Sequence, residues 1–211
     1  HELRTPLNSI LGYTQILQRD AGMPGQHQDA LATIFRSGSH LLSLIDGLLD
    51  VARIEAGKLN LEPSEIPFPE FIQQIERMFT PQAEEKGLRF RLETLGRMPA
   101  VVRGDEKRVR QILINLLGNA VRFTDSGEVC LRVSYLRETA SFEILDTGIG
   151  IDPEQIERIF QPFERGDLMR QDNGVGLGLT ITRMLTSLMG GELSVKSVLD
   201  QGTSFQVRLF L

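Results

Sequence analysis

The residues of this chain best able to do chemistry together are two asparagines, an aspartate and a set of closely spaced glycines. Asn115 and Asn119 stand four apart inside the apolar run "QILINLLGNAVRF", so a helix puts both amides on one face. An amide in such surroundings needs a hydrogen-bond or metal partner; helix capping or interhelical bonds satisfy it as well as a ligand does. Asp146 opens "DTGIGID", where an alternating run ends in a turn that contains Gly148 and Gly150. Gly174, Gly176 and Gly178 in "NGVGLGL" lead into a further helical stretch, whose first amides and positive dipole end can receive phosphates. Neither stretch is a common phosphate loop. Ile151 and Asp152 follow the first pair, Leu179 stands where G-x-G-x-x-G needs its last glycine, and G-x-x-x-x-G-K-[ST] is absent. At the start of the chain, His1 and Glu2 precede Thr5 and a leucine-rich run; alone, such a histidine is no more than a surface residue.

The elements that must position these groups follow two periods. Leu3, Leu7, Ile10, Thr14 and Leu17 keep a helical spacing, "AGMPGQ" stops it, and Leu31, Ile34, Gly38, Leu41, Ile45, Leu48 and Ala52 resume it. Phe35, Leu42 and Leu49 widen the second stripe. A stripe that wide is more than one hairpin covers, so two hairpins are expected to pair as a four-helix bundle. After residue 57 the pattern changes. Pro63, Pro67 and Pro69 predict an irregular link, a helix is expected over 70–85, and "LRFRLET" alternates as a strand. The helix that carries the asparagines follows, then strands in "GEVCLRVSYL" and "ASFEILDT", a helix in "GLGLTITRMLTSLMG", and strands in "ELSVKSV" and "TSFQVRLFL". The fold class is α+β: a dimerising helical hairpin over 1–57, then an α/β sandwich over 58–211 with its helices on one face of a mostly antiparallel sheet.

Composition limits the function classes. The 211 residues are 41% hydrophobic and 24% charged, enough for a globular core. A net charge of −5 gives no electrostatic footprint for nucleic acid. The single cysteine, Cys130, excludes an internal disulfide and reads as strand packing. No run reaches the ~18 apolar residues of a membrane span; "LLSLIDGLLDVA" is interrupted by Asp46 and Asp50. His27 and His40 match no motif and read as surface residues.

Taken in order, the motifs resemble the catalytic core of a sensor histidine kinase. "HELRTPL" is similar to the phosphoacceptor box of that family, "QILINLLGNAVRFT" to its asparagine box, "DTGIGID" to its first glycine box, "IFQPFER" to its phenylalanine box and "GVGLGLTI" to its second glycine box. The resemblance implies a Bergerat-type ATP-binding domain with ATP and Mg2+ as cofactors. It makes His1 the nucleophile, Glu2 the acid that accepts from or polarises its other ring nitrogen, and Thr5 the residue that orients a water for phosphatase activity. A neutral imidazole with a pKa near ~6.5 suits that first role. It implies that Asn119 binds the metal through a hard amide oxygen, with Asn115 supporting metal or phosphate and Arg122 contacting phosphate. Phe123 falls near the nucleotide, and Asp146 becomes the adenine reader, since a carboxylate accepts from the adenine amine but faces the carbonyl of guanine. Gly148, Gly150, Gly174, Gly176 and Gly178 belong to the nucleotide-binding glycine boxes, Arg165 approaches the γ-phosphate, and Thr203 reaches the adenine pocket through water. Phe160 and Phe163 anchor the lid between the glycine boxes. Val175 and Thr180 replace a frequent threonine and alanine, at positions that do not depend on their side chains for phosphate contact.

The expected function is therefore ATP-dependent phosphorylation of His1 and transfer to an aspartate of a response regulator, with phosphatase activity on the same regulator. Partners are a second copy of the chain, paired through the hairpin, and the regulator's receiver domain. The core is expected in the cytoplasm, with the full-length protein anchored in the inner membrane by segments outside this sequence. One alternative is a kinase-like scaffold that forms a mixed dimer with another kinase. Another is a chaperone or mismatch-repair ATPase, against which "HELRTPL" ahead of a hairpin speaks.

Overall fold

The structure, a computed structural model, describes residues 4–18, 24–164 and 176–211. Helices α1 (Arg4–Gln18) and α2 (Gly25–Glu55) form the hairpin. Leu7, Leu11 and Thr14 of α1 are buried, whereas Ile10, Ile16 and Leu17 are 50, 66 and 41% exposed. The row that packs is thus Leu7–Leu11–Thr14, and the expected stripe is split, with Ile10 and Leu17 outside it. Ile34, Leu41 and Leu48 of α2 are also about half exposed, at 47, 49 and 52%. One hairpin leaves a long apolar face uncovered, the surplus that its width predicts.

The second unit contains β1 (Ser64–Pro67), α3 (Phe68–Glu85), β2 (Arg89–Leu95), β3 (Val101–Gly104), α4 (Glu106–Phe123), β4 (Glu128–Leu136) and β5 (Thr139–Asp146), followed by α5 (Gly178–Leu188), β6 (Glu192–Val198) and β7 (Gly202–Phe210). Five strands make one sheet in the order β2-β4-β5-β7-β6, with only the β2–β4 pair parallel. Strand alternation sends Leu131, Val133, Phe142, Ile144, Val207 and Leu209 to the face under α3, α4 and α5, where all are fully buried. The other face carries an ion-pair ladder. Arg132 donates to Glu93 at 2.9 Å and to Glu143 at 2.7 Å, and the bond from Arg132 holds the Glu93 carboxyl below its ordinary range. Cys130 is 3% exposed, as packing requires, and burial pushes its thiol up.

Two strands depart from the sequence expectation. Residues 64–67 form β1 rather than an irregular link, paired antiparallel with β3 so that Ile66 faces Val102. The two side chains are 1 and 4% exposed, and their burial outweighs the proline signal. Pro67 closes the strand, and Pro69 sits in the first turn of α3, where a missing N–H costs nothing. Single 3-10 turns at Pro153–Gln155 and Arg158–Phe160 also lie where no element is expected.

The hairpin meets the second unit along α2. Val51 joins the main core, and Asp50 Oδ2 accepts from Gln111 Nε2 at 2.9 Å and Arg108 Nη1 at 3.3 Å. None of the described helices is long and apolar enough to cross a membrane.

Candidate active site

Helix α4 is set by its two ends and its buried stripe. Asp105 caps its start: Oδ1 accepts from the Arg108 N–H at 3.1 Å, and Oδ2 accepts from the Glu62 N–H at 2.9 Å. A cap of this kind contributes about 1 kcal/mol. Val109, Ile112, Leu113, Leu116, Leu117 and Ala120 are buried, which leaves Asn115 and Asn119 on the flank of the helix. Their fates differ. Asn115 Nδ2 donates to the Gly178 carbonyl at 3.1 Å and to Thr182 Oγ1 at 3.4 Å, tying α4 to the start of α5. Asn119 lines a cleft, and its side-chain amide has no hydrogen-bond partner among the described residues.

Asp146 ends β5 opposite Thr203 of β7. Its Oδ1 accepts from the Gly148 N–H at 2.9 Å and the Thr203 N–H at 3.2 Å; Oδ2 has no partner among the described residues. Burial pushes its carboxyl up, and the two backbone N–H groups pull it part of the way back. The turn that follows has no room for a side chain at its two glycines. A Cβ on Gly148 would stand 2.3 Å from the Phe123 carbonyl oxygen, and one on Gly150, at φ +68°, would stand 2.1 Å from that of Val198.

The cleft is narrow and opens to solvent. It gathers Asn119, Phe123, Asp146, Gly150 and Thr203 from the sequence-predicted set, walled by Ile149, Ile151, Ile159, Leu179 and Phe205. Arg122 does not line it; the guanidinium lies 5.2 Å from the centre of the Phe123 ring. Gly176 and Gly178 stand at the approach to α5, where the Gly176 carbonyl accepts from the Phe163 N–H at 3.1 Å. Phe160 packs edge-on to Phe205 at 6.5 Å, but Phe163 is 57% exposed, so only the first of the expected lid anchors is anchored by its side chain. Thr180 is buried, and its hydroxyl donates to the Phe160 carbonyl at 3.0 Å. Thr5 is exposed on α1, its carbonyl accepting from Ser9 Oγ. His27 is exposed. His1, Glu2, Arg165 and Gly174 lie outside the described residues, as does the His40 side chain.

Sequence reasoning missed Ser197. Its hydroxyl accepts from the Ile151 N–H at 2.8 Å, donates to the Gly202 carbonyl at 3.0 Å and meets Thr203 Oγ1 at 2.9 Å. One serine thus ties the glycine turn to the β6–β7 corner beside Asp146. It sits in an ordinary alternating strand, so no local signal marks it. The apolar walls were hidden in the same way, since Ile149, Ile151, Leu179 and Phe205 sit in ordinary turn, helix and strand sequence.

Chemically, the cleft suits a flat, largely apolar ring that carries one hydrogen-bond donor. A carboxylate oxygen such as Asp146 Oδ2 is able to accept from such a donor. The Asn119 amide oxygen is a hard ligand of the kind that magnesium takes beside phosphate oxygens, and the start of α5 offers its amides to anions. The donor set fits a magnesium-bound purine nucleotide.

Comparison with known proteins agrees with this geometry. Residues 104–211 match the family described as histidine kinase-, DNA gyrase B-, and HSP90-like ATPase, and residues 1–57 match the His Kinase A (phospho-acceptor) domain. The chain is 36% identical over 215 residues to the autoinducer 2 sensor kinase/phosphatase LuxQ of Vibrio cholerae, covering 99% of this chain and 25% of that protein. It thus spans about a quarter of the length of the curated relatives it matches. Full-length ShkA, crystallised with AMPPNP, superposes with a TM-score of 0.83 at 34% identity, over 99% of this chain and 44% of that one. Histidine kinase ThkA, in its complex with the response regulator TrrA, shares the fold, with a TM-score of 0.66 at 22% identity over 99 and 58% of the two chains. A phosphoacceptor hairpin joined to an ATPase sandwich, with an acid, an amide and a glycine turn around one cleft, places this chain among the sensor histidine kinases, as a catalytic core of that family.

Proposed function

We propose that the protein is an ATP-dependent histidine autokinase that phosphorylates His1 and passes the phosphoryl group to an aspartate of a response regulator. The observation that carries this reading is that Asp146 Oδ2 and the Asn119 amide, both unpartnered among the described residues, belong to one apolar cleft. We take 58–211 as the ATP-binding unit and 1–57 as the phosphoacceptor. Adenine lies between the apolar walls with its amine on Asp146, and Thr203, fastened to Ser197, completes that end of the pocket. Asn119 holds Mg2+, which supplies charge neutralisation on the phosphates. Arg122, Arg165 and the amides of Gly174, Gly176 and Gly178 supply the remaining positive field, with Asn115 fixing α5 in place.

In the reaction, a ring nitrogen of His1 attacks the γ-phosphorus. The bond to the β–γ bridging oxygen breaks, and ADP leaves with that electron pair. Glu2 holds the proton on the second ring nitrogen, so the charge that develops on the imidazole has a partner. A regulator carboxylate then takes the phosphoryl group and returns His1 to its neutral form. Thr5 serves the reverse branch, orienting a water against the regulator's acyl phosphate. The exposed apolar face of α1 and α2 is where a second copy closes a four-helix bundle. We place the core on the cytoplasmic side of the inner membrane, with anchoring left to other parts of the full-length protein.

Incubation with γ-labelled ATP tests this function. Label that survives alkali and is lost in acid marks a phosphohistidine. A protein that takes no label itself but changes the labelling of another kinase is a regulatory scaffold.

A further inference from the structure

The last turn of α4 has an unusual set of donors. Helices end with carbonyls that lack intrahelical partners, and here each from 120 to 124 is satisfied from outside the helix ladder. The Ala120 carbonyl accepts from Thr124 Oγ1 at 2.7 Å. Those of Val121, Arg122 and Thr124 accept from the Lys86 ammonium at 3.0, 2.9 and 3.0 Å. The one that Lys86 skips, Phe123, accepts from the Ile149 N–H at 3.2 Å. The helix that carries Asn119 and Phe123 is therefore clamped between Lys86 on one side and the glycine turn after Asp146 on the other.

We propose that Lys86 is a positioning residue for nucleotide binding, holding the end of α4 in the register that sets Asn119 and Phe123 against the Asp146 turn. Lys86 lies outside every motif quoted above, and the proposal rests on the cleft being the nucleotide site. Three features make it more than an ordinary helix cap. An ammonium has three N–H donors and here meets three carbonyls, so its hydrogen-bonding capacity is fully used. Its backbone is fixed by the close of α3, where the Lys86, Gly87 and Leu88 N–H groups bond to Ala83 and Glu84 carbonyls. Its charge sits at the negative end of the α4 dipole, whereas its ion pair with the 89% exposed side chain of Asp125, at 4.0 Å, contributes little. Because the Phe123 carbonyl is also the atom against which Gly148 packs, a frayed α4 end moves the glycine turn with it. A planar guanidinium cannot converge on three carbonyls as a tetrahedral ammonium does.

Lys86→Met and Lys86→Arg test this with three readouts: the Mg·ATP dissociation constant by calorimetry, the thermal midpoint, and amide exchange at Ile149. We expect Lys86→Met to raise the dissociation constant roughly tenfold, the loss expected from undoing a charge-assisted contact, and to speed exchange at Ile149 in the nucleotide-free protein. Lys86→Arg should restore neither. Unchanged affinity and exchange in Lys86→Met, with only a lower melting point, would make Lys86 a plain stabilising cap and overturn the proposal. Wild-type behaviour of Lys86→Arg would also overturn it, and this variant carries the test if Lys86→Met does not fold. If the wild type itself binds no ATP, the nucleotide reading fails, while the exchange result at Ile149 still judges the clamp.

Discussion

Thr203 and Asp146 face each other across the β5–β7 ladder, and the Thr203 N–H donates to Asp146 Oδ1 at 3.2 Å. With Gly148 bonded to the same oxygen, the scaffold occupies one half of the carboxylate, and Oδ2 meets no partner among the described residues. An asparagine can accept both backbone bonds through its own oxygen but presents an NH2 group to the cleft. Asp146→Asn should therefore keep the fold and lower ATP affinity about 10- to 100-fold, the equivalent of one charge-assisted bond. It should also narrow the preference for ATP over GTP, whose ring carbonyl can accept from the new amide. The sign of the pH effect follows from burial. A carboxyl held above its ordinary value contributes most to apo stability below the unfolded pKa, and that contribution is lost as pH rises through the folded one. Melting curves should show Asp146→Asn gaining on the wild type as pH rises towards neutral. ATP affinity of the wild type should fall as acid protonates Asp146, from a higher pH than an ordinary aspartate would give.

Asn119 offers the cleft an amide with no other partner among the described residues. Asn119→Ala should weaken Mg·ATP binding roughly tenfold or more by removing one hard oxygen ligand, with a melting point close to that of the wild type. Repeating the titration in a chelator separates metal from fold: the gap between the two proteins should close. A gap that persists without magnesium would make Asn119 a nucleotide contact instead.

What could be read in advance was whatever announces itself locally. Asn115 and Asn119 carry a helical spacing, Asp146 stands at a strand end, and Gly148 and Gly150 crowd a turn, so their neighbourhood was legible. The division of labour between the asparagines was not, because it depends on where α5 runs: Asn115 meets Gly178 and Thr182. Ser197 and Lys86 were missed for the same reason, their partners being distant backbone groups that leave no pattern in the local sequence. The proline-rich stretch misled in the opposite direction, since the burial of Ile66 against the β3 strand overrode a strong local signal.

Thr5 is exposed on α1 and carries no nucleophilic nitrogen. Thr5→Ala in the full-length protein should leave autophosphorylation near the wild-type rate and lower phosphatase activity on the cognate phospho-regulator by roughly tenfold or more, the cost of an unoriented water. Equal loss of both activities would assign Thr5 to the helix or the kinase step.

The most direct measurement is phosphosite mapping of the full-length kinase after incubation with Mg·ATP, beside His1→Gln and Asp146→Asn. We expect one acid-labile phosphoryl group on the His1 ring. His1→Gln should lose it while binding ATP as tightly as the wild type, and Asp146→Asn should lose it in proportion to its weakened binding. Phosphate on another residue, or labelling that persists in His1→Gln, would contradict it.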